Sequence, residues 1–150
     1  MNIQKVKQGA KITMFNGIYM MLFGIFHIFF AEFNMDSNFK AIDSIWRLFV
    51  KYNPRIYKLF ILSNISIGIL LISIGLFIAY LSYFIMKRKD KMAWVILFIS
   101  GITSWVGLLI ISFLFKNMIL IGITLVGWVM FVFGMLIPIN YYLEKNYREY

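Results

Sequence analysis

The chain has no cysteine, one histidine and two prolines in 150 residues. The missing cysteine excludes disulfides, thiolate metal sites and a thiol nucleophile. A lone histidine, His27, excludes bis-histidine haem ligation within one chain and any multi-histidine metal cluster, so no cofactor is expected. Charge is also scarce, at 14% of residues, where soluble domains carry about 25%. Only six residues are acidic, and none of them falls within a long apolar run. The buried carboxylates that proton-coupled transporters use are therefore missing.

What the chain has in excess is apolar surface: 62% of residues are hydrophobic and the mean hydropathy is +0.83. A single water-soluble domain of this length could not hide so much of it. The bilayer must be the solvent for most of the chain. Twenty uncharged residues lie between Lys11 and Glu32, and twenty-eight between Lys58 and Lys87. From Met92 to Leu143 the only charge is Lys116, which splits that segment in two. A transmembrane helix needs about 20 such residues. The expectation is one all-α membrane domain, a four-transmembrane-helix bundle with spans at about 12–32, 59–86, 92–115 and 117–141. Lys116-Asn117 then forms a tight hairpin. The first run is longer than a signal-peptide core and no A-x-A site follows it, so it reads as a retained span.

Short-loop cations indicate orientation. With an inside N-terminus, nine Lys and Arg fall inside, including the cluster Lys87-Arg88-Lys89-Asp90-Lys91, and six fall outside. The bias predicts a multi-pass protein of the cell membrane with both termini cytoplasmic. The net charge of +9 belongs to the membrane flanks; the bilayer is the expected partner and nucleic acid is not.

Within the first outer loop, Ile42, Ile45, Trp46, Phe49 and Val50 recur at helical spacing, with Asp43, Ser44, Arg47 and Lys51 opposite. This predicts a short amphipathic interfacial helix over about 40–52, ended by Asn53-Pro54 because Pro54 disfavours helix at the preceding residue.

Glycine pairs seven apart, Gly17/Gly24, Gly68/Gly75 and Gly127/Gly134, each share one helical face. Small residues let membrane helices approach closely. Asn64 and Ser82 extend the stripe of the second span, and Ser100, Ser104 and Gly107 are the corresponding candidates in the third. His27 lies three residues after Gly24, near that face and in the outer half of its span. Asn64 comes to a similar depth from the second span, with Ser63 and Ser112 nearby. An unpaired polar group in hydrocarbon costs several kcal/mol, so the four form a candidate polar cluster in which His27 and Asn64 bond one another. Glu32 is turned about 140° from His27 on a continuing helix and is expected to pair with Arg55 or Lys58 at the outer surface. Trp105 and Trp128 stand eleven residues either side of Lys116-Asn117, which places both near the bilayer midplane as core packing or as the wall of an apolar pocket. Asn16 and Asn140 read as caps or water contacts at the inner ends.

These features favour a non-enzymatic accessory, assembly or regulatory protein working through helix packing, with another membrane protein or a second copy as partner. The alternative is a binder or carrier of an apolar, lipid-like ligand with its polar end at His27 and Asn64. A lipid-directed enzyme comes third, because His27 lacks a second catalytic group. The Gly24–His27 pattern G-x-x-H is too short to indicate a family, and the abundance of Ile, Lys, Asn and Phe fits an AT-rich bacterial coding sequence.

Overall fold

A computed structural model describes residues 2–42 and 45–144. These form seven helices and no strand: α1 (Asn2–Phe29), α2 (Ala31–Ile42), α3 (Trp46–Tyr52), α4 (Pro54–Arg88), α5 (Lys91–Leu114), α6 (Met118–Leu136) and α7 (Ile139–Glu144). Four helices, α1, α4, α5 and α6, are long and apolar enough to cross a membrane. The 35 residues of α4 rise about 52 Å, so it overshoots a hydrocarbon core of about 30 Å.

Local chemistry explains the breaks. Pro54 opens α4 at a first-turn position, where its missing N–H costs nothing. Lys89 closes α4 in a left-handed conformation (φ 55°), and the Asp90 carboxylate caps α5 by accepting from Ala93 N at 3.0 Å. Between α5 and α6, Lys116 takes φ 52°. The Asn117 side-chain oxygen then accepts from the backbone of Ile119 and Leu120 at 3.1 and 3.3 Å. The expected Lys116-Asn117 hairpin is present. The fourth apolar segment, expected as one helix over 117–141, is two, because Pro138 cannot continue the helical ladder and separates α6 from α7. The first segment also differs: α1 starts well before residue 12, and the helix breaks around Phe30, although Phe30 itself still donates to Phe26 O and accepts from Asn34 N, both at 2.9 Å.

These four long helices pack in chain order around a ring, α1 on α4, α4 on α5, α5 on α6 and α6 on α1, with α1·α4 the most extensive contact. Asn64, Gly68, Leu71, Gly75, Ile78, Ser82 and Ile85 are the buried residues of α4. Their alternating 4-3 spacing is that of a coiled-coil seam. A Cβ placed on Gly24 would lie 2.6 Å from the Gly68 carbonyl oxygen, and one on Gly68 would lie 2.7 Å from that of Gly24. Gly17 and Gly75 stand in the same reciprocal relation, at 2.7 and 2.6 Å. Gly134 meets Thr13 and Gly9. The small-residue face expected on the third span is different: α5 buries Trp94, Leu97, Gly101, Trp105 and Ser112, and nothing lies within 4 Å of a Cβ on Gly107. Leu59, Leu62, Leu70, Leu114 and Ile119 are more than half exposed, on the outside of the ring.

Gly68→Ala therefore drives a methyl into backbone, and overpacking of this kind costs about 1–3 kcal/mol. Gly107→Ala should be neutral or slightly stabilising, since alanine is the better helix former by about 1 kcal/mol. Reversible unfolding in mixed micelles checks the contrast; equal effects at the two positions would contradict the seam.

Candidate functional site

The interruption at Phe30 starts a new helix, α2, at the α5–α6 hairpin end of the bundle. Asn64 Nδ2 donates to the backbone oxygens of His27 and Ala31, both at 3.3 Å. A side chain entering the ladder in this way accompanies a break in a helix. Further along α2, Asn117 Nδ2 donates to Asn38 Oδ1 at 2.8 Å and to Ser37 Oγ at 3.2 Å, tying α2 to the hairpin. Asp36 accepts from Trp46 Nε1 at 3.0 Å and pairs with Lys40 at 3.5 Å. Phe39 stacks on Trp46 with ring centroids 4.2 Å apart. These contacts fix α2 as a cover over that end.

Beneath it lies a cavity of about 320 Å³, roughly twice the 150 Å³ at which an apolar protein cavity accepts benzene. It draws Phe23 and His27 from α1, Met35, Asn38 and Phe39 from α2, and Phe60, Ser63, Asn64 and Ile67 from α4. From α5 come Leu108, Ile111, Ser112 and Phe115, and from α6 Leu120 and Thr124. All four long helices and the cover contribute, and among the described residues no Lys, Arg, Asp or Glu lines it. Ser63, Ile67 and Ile111 are exposed, which places the opening between α4 and α5.

His27 is 7% exposed. Its ring meets Phe23 edge-on at 4.6 Å, and its Nδ1 is buried with no hydrogen-bond partner among the described residues. A second cavity of about 30 Å³, shared by His27, Asn34, Ser37, Asn38 and Asn117, adjoins it. This exceeds the roughly 10–15 Å³ that one water needs, and Asn34 Nδ2 is likewise buried and unpartnered.

The four candidate polar residues thus line one cavity, but their bonding differs from expectation. Asn64 bonds the His27 backbone, not the imidazole, because the interrupted ladder presents its carbonyls there. Ser63 donates to Leu59 O at 3.0 Å. Ser112 donates to Leu108 O at 2.7 Å and faces Thr124 Oγ1 at 3.2 Å. Trp105 and Trp128 do not line this cavity; its aromatic wall is Phe23, Phe39, Phe60 and Phe115. Trp105 is fully buried in the core and Trp128 half-buried against it. The pairing of Glu32 with Arg55 or Lys58 is not found: all three are exposed, while nearby Lys40 pairs with Asp36. Glu32 lines a separate surface groove with Phe29 and Ile61, so it does not share the cavity with His27. Of the loop helix expected over 40–52, Trp46–Tyr52 form α3 and the earlier part ends α2, while Asp43 and Ser44 lie outside the described residues.

Asn16 is the polar residue whose role differs most from the cap expected of it. It is fully buried, donates to Gly127 O at 2.7 Å and accepts from Trp105 Nε1 at 3.0 Å. Counting back from His27 by alternating fours and threes reaches Phe23, Met20, Asn16 and Thr13, all buried, so the seam periodicity carried the signal. Ser82 Oγ lies 2.9 Å from Thr13 Oγ1 in the same core. Asn140 is exposed.

Among the described residues no group of three or more His, Asp or Glu could hold a metal ion. The chain matches no family model, no curated protein and no solved structure, so its site is read from its own chemistry.

Asn64→Leu should destabilise the fold by about 0.6–2 kcal/mol, the scale of polar contacts between membrane helices. His27→Phe should be neutral or stabilising, because the imidazole is buried without a partner and makes no side-chain bond to lose. Unfolding of both variants in micelles checks this; a loss on His27→Phe as large as on Asn64→Leu would contradict it.

Proposed function

We propose that the chain is a multi-pass membrane protein that binds an apolar, lipid-like molecule in the cavity beneath α2. One observation carries the reading: an apolar cavity of about 320 Å³ contains a buried imidazole with an unpartnered nitrogen. A buried polar group left unsatisfied costs about 1–3 kcal/mol, and an empty apolar cavity costs further stability. A molecule that fills the space and bonds His27 offsets both. The opening lies largely among apolar side chains, Ile67 and Ile111 beside Ser63, which suits entry from the bilayer rather than from water.

The bias of nine cations over six favours cytoplasmic termini in the cell membrane and puts the cavity and α2 at the outer side. There α3 fits an interfacial segment, with Trp46 turned inward and Leu48 and Tyr52 exposed. Binding rather than catalysis is favoured because His27 is the one titratable side chain among the described residues of the cavity wall. Packing against another membrane protein or a second copy stands as a second reading. Its support is the uncovered Gly107 and Gly122, beside which nothing lies within 4 Å, a surface that suits another helix.

Native mass spectrometry of protein released from mild detergent tests the first reading. Wild type should carry one lipid-mass molecule per chain, and Ser63→Trp at the opening should lower its affinity at least about fivefold, or about 1 kcal/mol. Adducts indifferent to Ser63→Trp, or none on wild type, would contradict it.

A further inference from the structure

We infer that the molecule held beneath α2 is an uncharged lipid with a hydroxyl head and a single tail, the head at His27 and the tail leaving between α4 and α5. This rests on the cavity being a ligand site and goes on to specify the ligand.

Charge decides first. Among the described residues no Lys, Arg, Asp or Glu lines either the large cavity or the small one beside it; Arg55 and Lys58 are exposed and line neither. A phosphate or carboxylate stripped of water here would meet no counter-charge, and burying an unpaired ion is far costlier than burying a neutral group. Phospholipid heads are excluded on that ground.

The hydrogen-bonding inventory decides next. The hydroxyls of Ser63, Ser112 and Thr124 already donate to carbonyls of their own helices. Asn38 Oδ1 is taken by Asn117, and Asn64 Nδ2 by the α1–α2 junction. Still uncommitted are the imidazole of His27, the Asn38 amide N–H groups and the Asn64 side-chain oxygen. The wall thus offers donors and acceptors together. A hydroxyl answers both, whereas an ether or ketone oxygen only accepts.

Size and access decide the tail. The α1·α4 side is closed by glycine contacts, while Ser63, Ile67 and Ile111 leave a gap on the α4·α5 side. α4 and α5 are joined at the far end by Lys89-Asp90, so they are not tied together at the cavity end. One chain fits such a slot, and a volume about twice that of a benzene site holds a head and the start of one tail.

Protein in phosphatidylcholine nanodiscs would be unfolded thermally with 1-decanol, decyl methyl ether or decyl phosphate at matched concentrations. Ligand that binds only the folded state raises its midpoint. Decanol should stabilise wild type with an apparent affinity at least about tenfold above either other probe. His27→Phe should remove most of that preference; Asn38→Leu is a second variant should His27→Phe fold poorly. Equal binding of decyl phosphate or of the ether overturns the hydroxyl assignment and leaves the cavity as a ligand site. Equal preference in wild type and both variants overturns the placement of the head. No response of wild type to any probe overturns this inference and the binding reading together.

Discussion

Close backbone contact between α1 and α4, made by Gly17 and Gly24 against Gly75 and Gly68, is the constraint on which the arrangement depends. In lipid no hydrophobic force drives one apolar helix onto another, so association relies on close packing and on hydrogen bonds. Each of these glycines faces the carbonyl of its counterpart at a distance no Cβ tolerates. The two helices are thereby locked in register, and that register brings Asn64 to the interrupted end of α1. The direction taken by α2 follows from the same contact.

Side-chain size explains why a cavity forms at one level and not at another. At mid-bundle Trp105 fills the space inside the ring, lies over Gly127 and gives its indole N–H to Asn16. Seven residues further along α5, on the same face, the buried residue is Ser112. Thr124 opposite is small as well, and the two hydroxyls turn toward each other and their own helices. Nothing bulky replaces the indole, so the ring of helices stays hollow there. Phe39 and Met35 from α2 cover the void without filling it.

Much of the architecture is legible in local sequence because it depends on local chemistry. Apolar runs bounded by Lys11, Lys58, Lys87 and Lys116 mark the four helices long and apolar enough to span a membrane, and the seven-residue glycine pairs of the first two mark their packing face. The third span shows the limit of that reasoning. Ser100, Ser104 and Gly107 look like an interface by composition, yet Trp94, Leu97, Gly101 and Trp105 are what α5 buries, since a large residue serves as well where a glycine faces it. The loop was only partly legible, because the break at Phe30 depends on Asn64 arriving from another helix. The cavity was legible in its polar members, His27, Asn64, Ser63 and Ser112, but not in its walls. Midplane depth made Trp105 and Trp128 attractive, whereas the wall consists of phenylalanines from the loop and from helix ends, brought together by folding of the chain.

The central claim is that an open apolar cavity exists under α2 beside His27. A crystal structure of the protein pressurised with xenon tests it most directly, because xenon enters dry apolar cavities and is seen by its own scattering. The account predicts a xenon site among Phe39, Phe60 and Leu108, lost in Leu108→Trp. Phenylalanines collapsed into the space, with xenon only on the outer surface of the helices, would contradict it.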